Sequence, residues 1–208
     1  MCYVQLRRLQ LIHSRNFIHR DIKPSNIAMG VGDQANVVYL IDFGLSKEFR
    51  DPNTREHIPY NDGLGFIGTT TFASTNSHLG SELGRRDDLE SLAYTLFYFL
   101  WGFLPWQGLR KGKAILECKR TITTHDLFLD LPVEFHTFFE HCRSLSFDEK
   151  PNYDYFYDLF GGLLLREGFQ LDTPFDWDVA SGKNQQGGTN KSEVPWYKRD
   201  HSPRHATW

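Results

Sequence analysis

The chain opens with a pattern of apolar and polar positions that is typical of an amphipathic helix over residues 3–15. The apolar positions compatible with one face of this helix are Val4, Leu6, Leu9, Leu11 and Ile12. Helical patterns return at residues 86–101, 110–121, 132–145 and 152–166, and prolines at 105, 132 and 151 separate them. The hydrophobic pattern therefore predicts a mainly helical domain.

A short β-branched run interrupts the helical pattern early in the chain. The sequence VVYLI at residues 37–41 predicts a buried strand. The following residues, 42–84, are rich in Gly, Thr, Asn, Pro and Ser and show no sustained period. Because so long an irregular stretch inside a compact domain is usually functional, we expect part of a functional site to lie there.

The most apolar segment is LAYTLFYFLWGFL at residues 92–104. It is shorter than the roughly 20 residues needed to cross a bilayer. Two arginines and two aspartates stand just before it, at residues 85–88. The segment is therefore predicted to be a helix buried on all sides inside a globular domain.

Composition bounds the class of protein. With 208 residues and 40% apolar content, the chain is long enough for one globular domain with a sizeable core. Its net charge of −3 gives no reason to expect a nucleic acid or a membrane surface as a partner. One local basic cluster is interpreted as a solvated helix face, and it comprises Arg110, Lys111, Lys113, Lys119 and Arg120.

The cysteines and the end of the chain add two expectations. Cys2, Cys118 and Cys142 form no CxxC pair, which fits a reducing compartment and predicts a cytoplasmic or nuclear location. Residues 179–208 are polar and rich in Gly, Asn and Gln, and they are predicted to be a disordered tail after a domain spanning residues 1–178.

The clearest chemistry lies in HRDIKPSN at residues 19–26. Phosphoryl transfer needs a carboxylate that orients the attacking hydroxyl and accepts its proton, a role that suits Asp21. It also needs a cation near the transferred phosphate, which Lys23 can supply. Asn26 offers Mg²⁺ a neutral oxygen without adding negative charge beside the phosphates. The spacing of these residues matches the catalytic loop of protein kinases.

A second motif, Asp42-Phe43-Gly44, follows the predicted strand directly. Asp42 would sit at the strand end as the main carboxylate ligand of Mg²⁺, and Gly44 allows the backbone to turn. Alone, each motif's triplet is more often a loop turn or a surface triplet than a site. Together, with a strand before Asp42, they indicate a kinase-type site.

Four further residues are candidates for supporting roles. Thr69 stands where kinases place a hydroxyl that bonds the catalytic Asp and Lys, yet it also fits an ordinary polar loop. Arg20 is a candidate to hold the activation loop, or is simply a paired arginine. His19 is interpreted as packing the loop. Asp88 opens the most apolar helix, where it either anchors the catalytic-loop backbone or complements the helix dipole.

Several longer segments extend these motifs: FIHRDIKPSN (17–26), IDFGLSKEFRD (41–51), HIPY (57–60), GTTTFASTNSHLG (68–80), RRDDLESLAYTLFYFL (85–100), LPWQGL (104–109) and TPFDW (173–177). With them the chain resembles the casein kinase 1 group of eukaryotic serine/threonine protein kinases over residues 3–178. Most kinases have Ala-Pro-Glu after the activation segment, whereas this group has a Ser-Ile-Asn-like triplet. Here Ser74-Thr75-Asn76 stands at that place.

The resemblance implies a monomeric kinase that transfers phosphate from ATP, with Mg²⁺, to Ser or Thr of protein substrates, often in an acidic or already phosphorylated context. It implies that Asp21 is the proton acceptor and Lys23 the phosphate contact, that Asn26 and Asp42 hold the metal and nucleotide, and that Thr69 completes the catalytic set. The implied fold is mainly α (α+β): a kinase C-terminal lobe with short β-hairpins around the catalytic loop and Asp42.

The chain departs from this family at several positions. The family usually shows Gly-Thr-Ala-Arg-Tyr where this chain has GTTTF at residues 68–72. Thr71 thus replaces an arginine that resembles part of an anion site for phosphorylated substrates. Losing that guanidinium removes a bidentate phosphate donor, and with it the reason to expect a preference for such substrates. Ser25 replaces an acidic residue and Ala93 a glycine.

The largest departure is an absence upstream of the catalytic loop. Asp21 lies twenty residues after Met1, and no Gly-rich phosphate loop, strand lysine or partnering glutamate is found. We therefore expect the N-terminal β lobe to be absent from this chain. Because positioning supplies most of the rate enhancement in phosphoryl transfer, we also expect the chain alone to be inactive. Apolar surface where the two lobes meet should then be exposed.

Three function classes stay open at this stage. The first is a casein kinase 1-type serine/threonine kinase, of which this chain is the C-lobe portion. The second is a non-catalytic C-lobe module, similar to a pseudokinase, that binds protein partners. A small-molecule phosphotransferase on a related fold is a third class, which the segments at 57–80 and 104–109 disfavour.

Overall fold

Helices dominate the computed structural model, which describes residues 2–169. The helices in this range are α1 Cys2–Ser14, α2 Thr75–Leu79, α3 Arg85–Trp101, α4 Gly112–Thr121, α5 Thr124–Leu127, α6 Val133–Ser144 and α7 Tyr153–Arg166. The five longer helices agree with the predicted ones within about two residues at each end, the usual uncertainty of helix boundaries. The predicted tail at 179–208 and the TPFDW segment lie outside the described residues.

The strands of the described range form two small antiparallel sheets. Strand β1 (Phe17–Ile18) pairs with β4 (Lys47–Glu48), and β2 (Ile27–Met29) pairs with β3 (Val38–Leu40). The predicted strand at 37–41 is thus confirmed as β3, but the prediction that it is buried is wrong for Tyr39, which is 36% exposed. The strand belongs to a hairpin whose other strand the pattern did not reveal. The catalytic-loop motif lies between β1 and β2, and Asp42 follows β3.

Helix α3 forms the centre of the core. It packs against α1 and α6, while α7 packs against both α1 and α6. Every residue from Asp87 to Phe97 is buried. The prediction of a helix buried on all sides is wrong for the last turn, where Phe99 is 41% exposed. The apolar run continues beyond the point at which neighbouring helices cover it.

The core between α6 and α7 is built from aromatic rings. Phe138 meets Phe156 at a ring-centroid distance of 4.9 Å and Phe160 at 5.4 Å, in edge-to-face arrangements. Such pairs stabilise the fold beyond the burial of apolar area, because the ring edge of one faces the ring face of the other. This cluster holds α7 onto the bundle.

Two short helices arise from capping residues rather than from apolar periodicity. Ser74 caps α2 by accepting a hydrogen bond from the Ser77 amide, and Thr123 caps α5 in the same way. Helix α2 ends at Gly80, whose φ of 74° lies in the left-handed region. A Cβ at Gly80 would also lie only 2.2 Å from the Leu64 carbonyl oxygen, so this turn requires glycine.

The basic cluster near α4 divides into two groups. Arg110, Lys111, Lys113 and Arg120 are exposed, as predicted for a solvated face. Lys119 is fully buried, so the prediction is wrong for this residue. Its position four residues after Ile115 places it on the apolar side of α4. Within residues 2–169, no helix is long and apolar enough to cross a membrane.

Replacing Phe138 with Ala should lower the free energy of unfolding by about 3–5 kcal/mol, because the cavity removes contacts with two neighbouring rings. Chemical denaturation monitored by circular dichroism measures the change. Val133→Ala on the same helix is the matched control, since Val133 is 65% exposed. A loss below about 1 kcal/mol in Phe138→Ala would show that α6 and α7 do not share this core.

Candidate active site

A buried carboxylate shapes the backbone of the catalytic loop. Asp88, on the first turn of α3, accepts the amide of His19 at 2.8 Å through Oδ2 and the amide of Arg20 at 2.8 Å through Oδ1. Arg20 has a φ of 67°, a left-handed conformation that is unfavourable for a residue with a Cβ. The two hydrogen bonds hold this turn, so the prediction that Asp88 anchors the loop is confirmed.

His13 completes the environment of Asp88. Its Nε2 lies 2.8 Å from Asp88 Oδ2 and its Nδ1 contacts the Tyr153 hydroxyl. Since an ionised carboxylate only accepts, Nε2 carries the hydrogen. Burial opposes ionisation of Asp88, but the hydrogen bonds from His13, His19 and Arg20 outweigh it and lower the pKa of Asp88 below its ordinary value. Asp88 is therefore a charged group inside the core.

The predicted catalytic residues form one hydrogen-bonded cluster. Asp21 Oδ1 accepts the Thr69 hydroxyl at 2.8 Å, and Asp21 Oδ2 lies 2.6 Å from Lys23 Nζ. Lys23 Nζ also donates to Thr69 Oγ1 at 2.8 Å. Asn26 Nδ2 donates to the carbonyl oxygen of Asp21 at 2.9 Å and to its Oδ2 at 3.2 Å. The structure thus brings together four residues that span 48 positions of sequence.

His19 connects this cluster to the loop that carries Asp42. Its Nε2 donates to the Ile41 carbonyl at 3.1 Å, and its Nδ1 faces the Asp21 amide at 3.3 Å. The ring packs on Phe43 with centroids 5.1 Å apart. His19 is fully buried, so the interpretation of His19 as a packing residue is confirmed.

Asp42 lies at the same end of the β2–β3 hairpin as Asn26. The Ile41 amide donates to the Asn26 carbonyl at 3.0 Å, which places the next residue, Asp42, beside Asn26. Asp42 has a φ of 63°, so a second left-handed residue shapes this site. Its side chain is exposed, and Oδ1 accepts the Gly44 amide at 3.2 Å.

The donors at this end of the hairpin suit a hard divalent cation. Asn26 directs its Nδ2 toward Asp21, which leaves the amide oxygen to face elsewhere, and Asp42 adds one exposed carboxylate. One or two protein oxygens, with phosphate and water, make up the usual Mg²⁺ shell. Within residues 2–169 there is no cluster of three or more His, Cys, Asp or Glu that would hold a metal without such a partner. The residues present therefore fit Mg²⁺ bound together with a nucleotide.

The start of α3 also anchors the Ser74-Thr75-Asn76 triplet. Asp87 accepts hydrogen bonds from the Ser74 hydroxyl at 2.7 Å and from the side-chain amide of Asn76 at 2.9 Å. Glu90 accepts a hydrogen bond from the backbone amide of Thr75 at 3.0 Å. Burial raises the pKa of Asp87 to about 6, although these hydrogen bonds oppose the shift. Carboxylates of α3 therefore fix the end of the irregular segment.

Arg20 contacts the segment that follows Asp42. Its Nε donates to the Leu45 carbonyl at 2.6 Å. Burial lowers the pKa of Arg20, while the negative charges of Glu82 and Asp88 oppose that change. Glu82 in turn pairs with Lys47 at 2.8 Å. The interpretation that Arg20 holds the activation loop agrees with this contact.

An apolar groove of about 450 Å³ borders the site, and its lining includes Leu11, Phe17 and Phe43. These three side chains are between 39% and 51% exposed. Apolar surface beside the catalytic loop is therefore exposed. That this is the surface where a second lobe meets the chain stays a prediction.

Sequence reasoning did not identify the buried polar residues that hold the segments around the cluster in place. His13, Asp87 and Glu90 were not singled out, because each occurs in a helix where a polar residue is ordinary, and Lys119 was assigned to a solvated helix face. A signal did exist for Lys119: it stands four residues after Ile115 and three before Ile122, on the same face of α4. A charged residue inside an apolar helix face calls for buried partners.

The protein kinase domain model matches residues 1–151 of the chain. That match covers well over half of the 208 residues. The chain belongs to the protein kinase domain family, and its helices with a few short antiparallel strands are consistent with a kinase C-terminal lobe.

Asp88→Asn should destabilise the fold by about 2–4 kcal/mol, because a neutral amide replaces a buried anion that accepts three hydrogen bonds. The pKa of Asp88 is lowered on folding, so its stabilising contribution is present above the unfolded pKa of about 3.9 and is lost as the pH falls through the folded pKa. Denaturation at a series of acidic pH values should show a steeper slope in the wild type than in Asp88→Asn, which keeps the contribution of other carboxyls with a lowered pKa, such as Glu134.

The exposed Asp33→Asn is the control, and it should keep the wild-type acid slope. If Asp88→Asn and the wild type lose stability in parallel on acidification, Asp88 does not carry a buried charge.

Proposed function

We propose that this chain carries the catalytic loop of a serine/threonine protein kinase of casein kinase 1 type, which transfers the γ-phosphate of ATP to Ser or Thr hydroxyls of proteins. Membership in the kinase family supports the reaction class. The finer assignment rests on the segments at 57–80 and 104–109 and on the Ser74-Thr75-Asn76 triplet.

One observation carries the proposal: the Asp21 carboxylate holds a hydroxyl at 2.8 Å and an ammonium at 2.6 Å at the same time. The hydroxyl is that of Thr69 and the ammonium that of Lys23. A carboxylate in such an environment can orient a hydroxyl group and accept its proton. The neighbouring cation lies where negative charge on a transferred phosphoryl group would need compensation.

In the proposed reaction the substrate hydroxyl oxygen forms a bond to the γ-phosphorus of ATP as the bond to the ADP oxygen breaks. Asp21 takes the hydroxyl proton, and Lys23 compensates charge on the phosphoryl oxygens. Thr69 bonds both side chains and so keeps their separation fixed. Asn26 holds Asp21 from behind through two hydrogen bonds.

Asn26 and Asp42 are the residues that would hold Mg²⁺ with the nucleotide. The ion supplies neutralisation of the phosphate oxygens when bound. Strain at the positive φ of Asp42 is consistent with a functional position, since such conformations persist where the surroundings enforce them.

The partners follow from the same proposal. Protein substrates with an acidic context, a monomeric state and a reducing, cytoplasmic or nuclear location all remain predictions. The 208 residues contain no Gly-rich phosphate loop and no lysine on a preceding strand to hold the nucleotide. This chain by itself is therefore expected to be inactive.

Asp21→Asn should reduce phosphate incorporation into casein or an acidic peptide by about 10²–10⁴-fold, because the amide cannot accept the hydroxyl proton. The assay measures radiolabel transfer from ATP in the presence of Mg²⁺. It is run on this chain and on any longer product of the same gene.

The exposed Asp62→Asn controls for a change of charge alone and should leave the rate unchanged. Incorporation by the wild type that does not exceed that of Asp21→Asn, in every form of the protein tested, would defeat the proposal.

The threonine at position 71 gives a prediction on substrate choice. The wild type should phosphorylate a peptide and its phosphoserine-containing counterpart with similar kcat/KM, since no arginine stands there. Thr71→Arg should favour the phosphorylated peptide by about tenfold, as expected for one charge-assisted hydrogen-bonding pair. Thr54→Arg, at an exposed position in another loop, is the control. A wild-type preference for the phosphorylated peptide would show that other residues bind the phosphate.

A second candidate function is supported by the apolar groove at Leu11, Phe17 and Phe43. Exposed apolar surface of this kind often marks a protein interaction site. A non-catalytic module that binds a protein partner there would show no Mg²⁺-dependent affinity for ATP. Calorimetry on the 208-residue chain separates the two functions, because measurable Mg²⁺-dependent ATP binding contradicts the non-catalytic candidate.

A further inference from the structure

Lys119 is a charged side chain in an unusual position. It is fully buried on α4, on the same face as Ile115 and Ile122. In the described part of the chain it makes no ion pair. A buried ammonium is costly unless its donors are satisfied. A lysine at this position therefore has a role that an apolar side chain could not fill.

Two backbone carbonyls and a histidine ring surround the ammonium of Lys119. Nζ donates to the Thr70 carbonyl at 3.0 Å and to the Ala73 carbonyl at 2.7 Å, and it lies 3.2 Å from His78 Nε2. Because His78 Nε2 also lies 3.0 Å from the Thr70 carbonyl, which can only accept, Nε2 donates there, and the acceptors of the ammonium are the two carbonyls. The rings of Tyr94 and Trp106 have their centroids 4.8 and 5.0 Å from Nζ, which adds cation–π attraction.

The carbonyls that Lys119 bonds belong to the segment directly after Thr69. In this turn the amides of Phe72 and Ala73 both donate to the Thr69 carbonyl, at 2.9 and 2.8 Å. Trp106 Nε1 donates to the Thr71 carbonyl at 2.7 Å. Lys119 therefore closes a turn whose first residue bonds the Asp21 carboxylate.

The outer side of the same turn faces solvent. Thr70 is exposed, and Thr71 and Phe72 are half-buried. The side chains of residues 70–72 thus lie on the accessible side of a turn that follows Thr69, while Lys119 bonds the carbonyls on its buried side. A shift of this turn would move both the Thr69 hydroxyl and the surface next to the proposed proton acceptor.

Burial disfavours the charged forms of both Lys119 and His78. Burial lowers the pKa of Lys119 to about 7, and the nearby Glu90 on α3 opposes this change. Burial and the charge of Lys119 lower the pKa of His78 to about 4, so His78 on α2 is neutral, and its Nε2 donates to the Thr70 carbonyl at 3.0 Å. The other titratable neighbours are Tyr94, whose pKa is raised by burial, and Cys118 on the same helix.

We propose that Lys119 is a positioning residue: it fixes the turn of residues 70–73 through the Thr70 and Ala73 carbonyls, and so sets the place of Thr69 and the binding of the acceptor peptide beside Asp21. The effect on peptide binding rests on the proposed kinase function. The effect on the turn does not.

Lys119→Met tests the turn directly, because Met has a similar length and no donor. Amide hydrogen exchange at Phe72 and Ala73, measured by NMR, should accelerate by about tenfold or more, as expected for the loss of one or two hydrogen bonds. Amides of Leu92 and Ala93 in the core of α3 should keep their wild-type rates. Arg120→Met, at the exposed next position, is the matched control and should change neither set.

The pH dependence distinguishes positioning by the cation from packing by the side chain. As the pH rises through about 7, Lys119 loses its charge, and its hydrogen bonds to the two carbonyls weaken because they are no longer charge-assisted. The protection factors at Phe72 and Ala73 should therefore fall in the wild type and in Arg120→Met, and stay constant in Lys119→Met. Lys119→Gln keeps two N–H donors and no charge, so it should give intermediate protection without a pH response; it also replaces Lys119→Met if that variant does not fold.

Peptide phosphorylation gives a second readout. Lys119→Met should raise KM for the acceptor peptide by about fivefold or more, since the turn carries Thr69, which bonds Asp21. Unchanged exchange at Phe72 and Ala73 in a folded Lys119 variant would overturn the proposal. Accelerated exchange without detectable kinase activity would retain the positioning role and count against the kinase function alone.

Discussion

The buried carboxylate of Asp88 is the constraint on which the rest of the site depends. It bonds two successive backbone amides, those of His19 and Arg20, and thereby holds the loop in a left-handed turn. The Asp21 carboxylate follows directly after this turn. Because the anion is supported by His13 from the opposite side, the loop is fixed to α3 and α1 at once. The conformation of the catalytic loop therefore depends on the packing of these two helices.

Residues 70–76, which form a turn and the start of α2, are also held by side chains of the helical core. Helix α3 supplies the acceptors and α4 supplies the donor. Carboxylates on α3, from Asp87 and Glu90, accept the polar hydrogens of residues 74–76. The ammonium of Lys119 on α4 donates to the carbonyls of residues 70 and 73. A backbone without regular structure must pair its polar groups when it is buried, and side chains supply the partners that a sheet or helix would otherwise provide. This accounts for charged residues within an otherwise apolar core.

The sequence was most informative where chemistry and spacing coincide. Asp21, Lys23 and Asn26 occur in one short motif, so their proximity was expected, and the strand before Asp42 followed from β-branched residues. Their catalytic roles remain proposals. The longer helices were predicted because their apolar faces recur with the helical period. The short helices after Ser74 and Thr123 escaped prediction, since four or five residues contain too few turns to show a period.

The sequence by itself determined the helical bundle and the set of residues that can handle a hydroxyl and a phosphate. Only the tertiary structure decided which charged residues are buried. Lys119 stands in a basic cluster and by composition belonged to the surface, yet it lies inside, where the carbonyls of Thr70 and Ala73 accept hydrogen bonds from its ammonium. Apolar periodicity records which face of a helix is covered, but not what covers it. The partners of a buried charge come from residues more than forty positions away, and no local pattern encodes them.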